Sequence, residues 1–123
     1  MFNNILFFGR KNDTYSKKII KFLKKNSKKL QINLLTDLKD KKKINLKKYE
    51  KHTYDYIFVY RSYHILKKNL IERAKFAAIN FHTGTPDYRG IGCTNFAILN
   101  QEKQYGCTAH IINEKVDYGK ILD

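Results

Sequence analysis

The segment Ile79-Asn80-Phe81-His82 sets two polar side chains into an otherwise apolar run. In an extended strand residues two apart share a face, so Asn80 and His82 project to one side and Ile79 and Phe81 to the other. An asparagine amide can donate a hydrogen bond to a developing oxyanion, and an imidazole can take or relay a proton near neutral pH. The pair suits acyl transfer; the plainer alternative is a polar strand end hydrogen-bonded to the loop that follows. Asp117, in Val116-Asp117-Tyr118-Gly119, comes just after a later strand. If that strand joins the same sheet, the carboxylate emerges on the same edge, where it could hold the imidazole's tautomer and stabilise its cation. Asp-x-Gly is equally common turn chemistry.

Other constellations fail on spacing. Phe8-Gly9-Arg10 and Gly90-Ile91-Gly92 both fall short of the G-x-G-x-x-G fingerprint, so a dinucleotide site is poorly supported. A zinc site built from Cys107-x-x-His110 with His82 or Cys93 is disfavoured, because residues three apart on a strand point to opposite faces; no metal is expected. Cys93 and Cys107 lack C-x-x-C spacing and suggest neither a disulfide framework nor a structural zinc site, which suits a reducing compartment. Ser62 and Thr83 have no general-base partner at recognisable spacing.

These side chains need elements to carry them. Asn4 to Phe8 reads as a buried strand ending at Gly9. From Thr14 the apolar positions Tyr15, Ile19, Phe22, Leu23 and Leu30 recur at helical spacing among lysines, which predicts an amphipathic helix capped by Thr14 or Asp13. Ile32 to Thr36 reads as a second strand, and Asp37 to His52 as a lysine-rich surface excursion without chemistry. Tyr56 to Tyr60 is a third strand, Leu66, Leu70, Ile71 and Ala74 mark a second helix, and Ala77 to Phe81 is a fourth strand. His82 to Gly92 holds three of the six glycines and the only proline, so it reads as an ordered loop. A third helix (Cys93 to Gln101) and a fifth strand (Cys107 to Ile112) follow. Strands alternating with helices predict a Rossmann-like α/β fold: an open, mostly parallel sheet with helices on both faces and ligands beyond the carboxyl ends of the strands.

At 123 residues and 42% hydrophobic, the chain is the size of one domain with enough apolar material to fold. No apolar run approaches the roughly 20 residues of a membrane-spanning helix, and no secretory signal pattern opens the sequence; a cytoplasmic protein is expected, with no membrane partner. The net charge of +14 invites a nucleic-acid reading. Only Arg10, Arg61, Arg73 and Arg89 among the 25 basic residues are arginine, however, and lysine lacks the planar fork that arginine uses on phosphates and bases, so a solvated surface is the better reading.

Four stretches in series, Ile79-Asn80-Phe81-His82, Pro86-Asp87-Tyr88-Arg89-Gly90, Gly106-Cys107-Thr108-Ala109-His110 and Asp117-Tyr118-Gly119-Lys120-Ile121-Leu122, resemble the N-terminal catalytic domain of the 10-formyltetrahydrofolate-dependent formyltransferases. That family includes methionyl-tRNA, glycinamide ribonucleotide and sugar N-formyltransferases. Weaker similarity at Ile5 to Gly9 and Arg61 to Ile71 extends the resemblance over almost the whole chain. It implies a catalytic triad of Asn80, His82 and Asp117, with 10-formyltetrahydrofolate as co-substrate. It also implies folate contacts near Tyr60 to Ile65 (Ser62, Tyr63 and Ile65 as candidates) and acceptor contacts at Thr83, Arg89 and Gly90. The acceptor expected is the amine of a nucleotide-linked sugar. Methionyl-tRNA, or an inactive basic binding module, is the alternative. The loop Thr83-Gly84-Thr85-Pro86 is one residue shorter than the family pattern and lacks its serine and two leucines. Relatives continue beyond Asp-x-Gly whereas this sequence stops at Asp123, so residues 1–123 are expected to be a formyltransferase N-terminal domain cut short at its C-terminus, working as a homo-oligomer or with a complementing C-terminal fragment.

Overall fold

The computed structural model describes residues 2–35, 44–90, 92–115 and 118–123. Five strands form one sheet: β1 (Phe2–Arg10), β2 (Ser27–Leu35), β3 (Tyr54–Tyr60), β4 (Ala74–His82) and β5 (Thr108–Ile111). Their order is β2-β1-β3-β4-β5. The first four are parallel to their neighbours, and β5 runs antiparallel to β4. Helices α1 (Thr14–Asn26), α2 (Lys68–Ile71) and α3 (Cys93–Leu99) lie in the connections, with a 3-10 helix at Leu46–Lys51. The mostly parallel α/β architecture expected from the alternation of elements is the one observed.

Both faces of the sheet are buried along the apolar run Ile5 to Phe8 of β1. Ile5 and Phe7 of β1 pack with Leu23, Ile19 and Ile20 of α1. Leu6 and Phe8, on the opposite face, pack with Ile57, Val59, Tyr54 and Ala78, covered by Leu66, Leu70 and Tyr49. Complete burial of one such side chain is worth about 1.5–3 kcal/mol, so these two layers fix the sheet. Tyr49 corrects the sequence reading: the lysine-rich stretch contributes a core residue, whose carbonyl accepts from the Tyr54 hydroxyl at 2.9 Å. Asp37 to Lys43 of that stretch, and Thr36 at the end of the expected second strand, lie outside the described residues.

Helix α1 departs from expectation twice. Its inward stripe is buried Ser16 and Leu23 with half-buried Ile19 and Ile20, while Tyr15 and Phe22 are exposed. Ser16 is drawn inward because its amide donates to the Asp13 carboxylate at 2.7 Å and its hydroxyl accepts from the Arg10 amide at 3.1 Å. Of the two cap candidates, Asp13 is the cap. The helix stops at Asn26, so Leu30 belongs to β2. Asn26 Nδ2 and Ser27 Oγ donate to the carbonyls of Phe22 and Leu23 at 2.7 and 2.6 Å, satisfying last-turn acceptors that another turn would have used. Strand β4 also begins earlier than expected, at Ala74, which leaves α2 a single turn.

Candidate active site at the carboxyl end of the sheet

Strand order reverses between β1 and β3: the chain leaves β1 for β2 on one side and returns to β3 on the other. In an open α/β sheet this switch point opens a crevice beyond the strand ends. A cavity of about 780 Å³ occupies it, within the range of small-ligand sites. Arg10 ends β1, Arg61 follows β3, and Asn80 and His82 end β4; all four line the cavity.

Along β4 one face runs Ala78, Asn80, His82. Ala78 is in the core, and the next two positions are polar as the strand reaches the cavity. The register sets Asn80 opposite His110 and His82 opposite Thr108. Asn80 Nδ2 lies 3.1 Å from His110 Nε2, and His110 Nδ1 lies 3.0 Å from the Ile111 carbonyl. A carbonyl only accepts, so in the neutral His110 imidazole the proton sits on Nδ1 and Nε2 accepts from the Asn80 amide. Buried His110 thereby fixes which end of the Asn80 amide is nitrogen, the requirement for a directed donor. Sequence reading weighed His110 as a zinc ligand and quoted it within the third motif, but missed this contact. The antiparallel pairing of β5 with β4 creates it, and the one sequence signal was a polar residue at a buried position of a short strand.

The four motifs come together through backbone contacts. Residues 79–82 pair with β5, from the third motif. The second motif folds back so that the Tyr88 carbonyl meets His82 Nε2 at 2.6 Å. From the fourth, Ile121 bridges His110, and Ile111 donates to the Lys120 carbonyl at 2.8 Å. Gly119 is required there, since a Cβ on it would overlap the Ile111 carbonyl. Asp117 and Val116 lie outside the described residues, as does Ile91.

The remaining candidates divide. Ser62, Tyr63 and Ile65 line the large cavity with Asn80 and His82, and so do Thr83 and Gly90. Arg89 does not: its guanidinium lies 4.0 Å from the centre of the Tyr118 ring, and it lines a smaller cavity behind His82. Cys93, which sequence reading did not connect to His82, has its sulfur 3.4 Å from His82 Nε2. Among the described residues no group of three His, Cys, Asp or Glu could hold a metal ion, and no helix is long and apolar enough to cross a membrane.

The charge at the cavity is positive. Arg10, Arg61 and Lys115 line it, and none of the described lining residues is acidic. Arg61 Nη1 pairs with Asp13 Oδ1 at 2.7 Å, and Arg10 Nε donates to the Arg61 carbonyl at 3.1 Å while its guanidinium covers the Tyr63 ring. Burial pushes the Asp13 carboxyl up, but the Ser16 hydrogen bonds and the charges of Arg61 and Arg10 outweigh it and hold the group below the ordinary aspartate value. Arg61 itself has left-handed backbone (φ 51°), uncommon for a residue with a side chain.

Residues 3–123 match the family described as formyl transferase. A methionyl-tRNA formyltransferase of Clostridium novyi is 39% identical over 69 residues, 55% of this chain and 22% of that protein. HypX of Aquifex aeolicus, solved in complex with tetrahydrofolic acid, superposes with a TM-score of 0.76 at 18% identity, covering 98% of this chain and 20% of that one. A sugar N-formyltransferase of Shewanella superposes at 0.68 and 21% identity, covering 98% and 55%. The chain thus spans about half or less of the length of these relatives. Because the family match spans residues 3–123, and so takes in all four motifs, the chain belongs to the formyl transferase family.

Proposed function

We propose that this protein transfers a formyl group from 10-formyltetrahydrofolate to a primary amine, with Asn80, His82 and Asp117 as the catalytic residues. The observation that carries the reading is the Asn80–His110 bond beside His82 at the cavity: a directed amide donor next to an imidazole at a switch-point crevice. The folate supplies an electrophilic formyl carbon. Tyr63, Ile65 and Leu66 give the cavity wall apolar surface for a ring system, and Arg10, Arg61 and Lys115 give it positive charge, so the lining fits a flat anionic co-substrate. As the amine nitrogen adds to that carbon, Asn80 Nδ2 donates to the oxygen that gains charge. His82 takes the proton the amine sheds, and the carboxylate of Asp117 steadies the imidazolium. The new carbon–nitrogen bond remains, and the bond to the folate nitrogen breaks as that nitrogen is protonated.

The acceptor we favour is an amino sugar carried on a nucleotide. Its phosphates suit two arginines held within the cavity by Asp13 and Tyr63. Methionyl-tRNA is the second reading, supported by the exposed Lys17, Lys18, Lys21, Lys24 and Lys25 along α1. The test is incubation with 10-formyltetrahydrofolate and a panel of nucleotide amino sugars and aminoacyl-tRNAs while tetrahydrofolate release is followed. A nucleotide sugar should bind with a shallow salt dependence, tRNA with a steep one. RNA binding with no release for any amine would defeat the catalytic reading.

A further inference from the structure

We infer that the loop after β4 is a collar that locks His82 in the tautomer with its proton on Nε2, and that Gly84 is the positioning residue that makes this possible. The inference rests on the acyl-transfer reading for its kinetic consequence only. The Tyr88 carbonyl, 2.6 Å from Nε2, accepts and cannot donate. In neutral His82 a proton on Nε2 is therefore the one that makes this contact. Cys93 is consistent: its thiol lies 3.2 and 3.1 Å from the carbonyls of Tyr88 and Gly90, leaving a sulfur lone pair toward the Nε2 hydrogen.

Space decides whether ring and carbonyl meet. A Cβ built on Gly84 would sit 2.7 Å from His82 Nε2, 3.1 Å from its Cδ2 and 3.0 Å from the Tyr88 carbonyl. One methyl group there stands between donor and acceptor, and the imidazole must turn away. Gly84 is itself pinned, because buried Thr108 donates its hydroxyl to the Gly84 carbonyl at 2.6 Å. Gly84 does not occupy the left-handed region, so alanine adds bulk without backbone strain. His110, with its proton on Nδ1, is held in the opposite tautomer 3.1 Å from Asn80. Two neighbouring histidines of the site are thus set in opposite senses by backbone carbonyls, one on the β4–α3 loop and one on β5.

The experiment is nitrogen-15 NMR of the imidazoles of the full chain at a pH where they are neutral, with His82→Gln and His110→Gln to assign two of the four histidines. The expected spectrum shows His82 protonated on Nε2 and His110 on Nδ1. In Gly84→Ala the His82 signature becomes mixed or reversed. kcat/KM for formyl transfer then falls about a hundredfold, the loss expected when a catalytic group is displaced by about 1 Å, and the pH profile shifts. His82 protonated on Nδ1 in the unsubstituted chain, or a folded Gly84→Ala with unchanged tautomer and pH profile, would overturn the inference. If Gly84→Ala does not fold, Thr108→Val decides: tautomer mixing supports the collar and an unchanged spectrum refutes it. A chain with His82 protonated on Nε2 that transfers no formyl group leaves the collar standing and removes the catalytic reading instead.

Discussion

Replacing Asn80 with alanine separates the catalytic reading from a merely structural one, because its two consequences are unequal. The amide makes a 3.1 Å bond to His110 across β4 and β5. Losing a hydrogen bond of that kind costs about 1 kcal/mol of stability, which for a domain of this size lowers the melting temperature by roughly 4 °C. The transition state loses more: one oxyanion donor is worth about 2.7–4 kcal/mol, a hundred- to thousandfold in turnover. Asn80→Ala should therefore melt a few degrees early yet be nearly inactive when tetrahydrofolate release is followed at saturating substrates. Asn80→Asp keeps the size but puts a carboxylate oxygen where the donor stood, and should be similarly inactive. Turnover within about threefold of the unsubstituted protein, with the melting shift present, would show Asn80 to be only a polar strand end that locks β5 to β4.

Two titration predictions follow from the fold. The native carboxyl of Asp13 lies below its ordinary value, with burial opposing and Ser16, Arg61 and Arg10 prevailing, so its stabilisation is present above the unfolded aspartate range and is lost as pH falls through the lower native value. Asp13→Asn should melt earlier than the unsubstituted protein at pH 7 but match it in strong acid, and Asp13→Ala should lose about a further 1 kcal/mol at both because asparagine still caps α1. At the other extreme, burial, with a smaller contribution from Tyr49 and opposed by Arg73, raises the Tyr54 phenol to about 12. A raised native value means stability that is full below the unfolded tyrosine value near 10 and declines as pH climbs toward about 12. Tyr54→Phe should flatten that alkaline limb of a melting-temperature profile; an unchanged limb would place the origin of alkaline unfolding elsewhere.

Local pattern carried much of this protein. Alternation along Ile79-Asn80-Phe81-His82 put two polar groups on one face of a strand, and helical spacing after Thr14 announced α1, because both signals depend only on neighbours in the chain. Fold class followed from the order of strands and helices. Contacts between distant segments were beyond that reach. His110 became Asn80's partner only when β5 paired antiparallel with β4, and a register shifted by one residue would have turned it to the other face. Tyr15 and Phe22 had the spacing of a core stripe, yet Ser16 took the inner position because Arg10 and Asp13 offered it hydrogen bonds. The end of α1 was written in Asn26 and Ser27, whose side chains compete for the helix's last carbonyls, but apolar periodicity does not register such competition. Thus sequence alone determined that Asn80 and His82 share one face of one strand. Only the tertiary structure decided which atom faces which, because hydrogen-bond partners and tautomers depend on separations of tenths of an ångström between segments far apart in the chain.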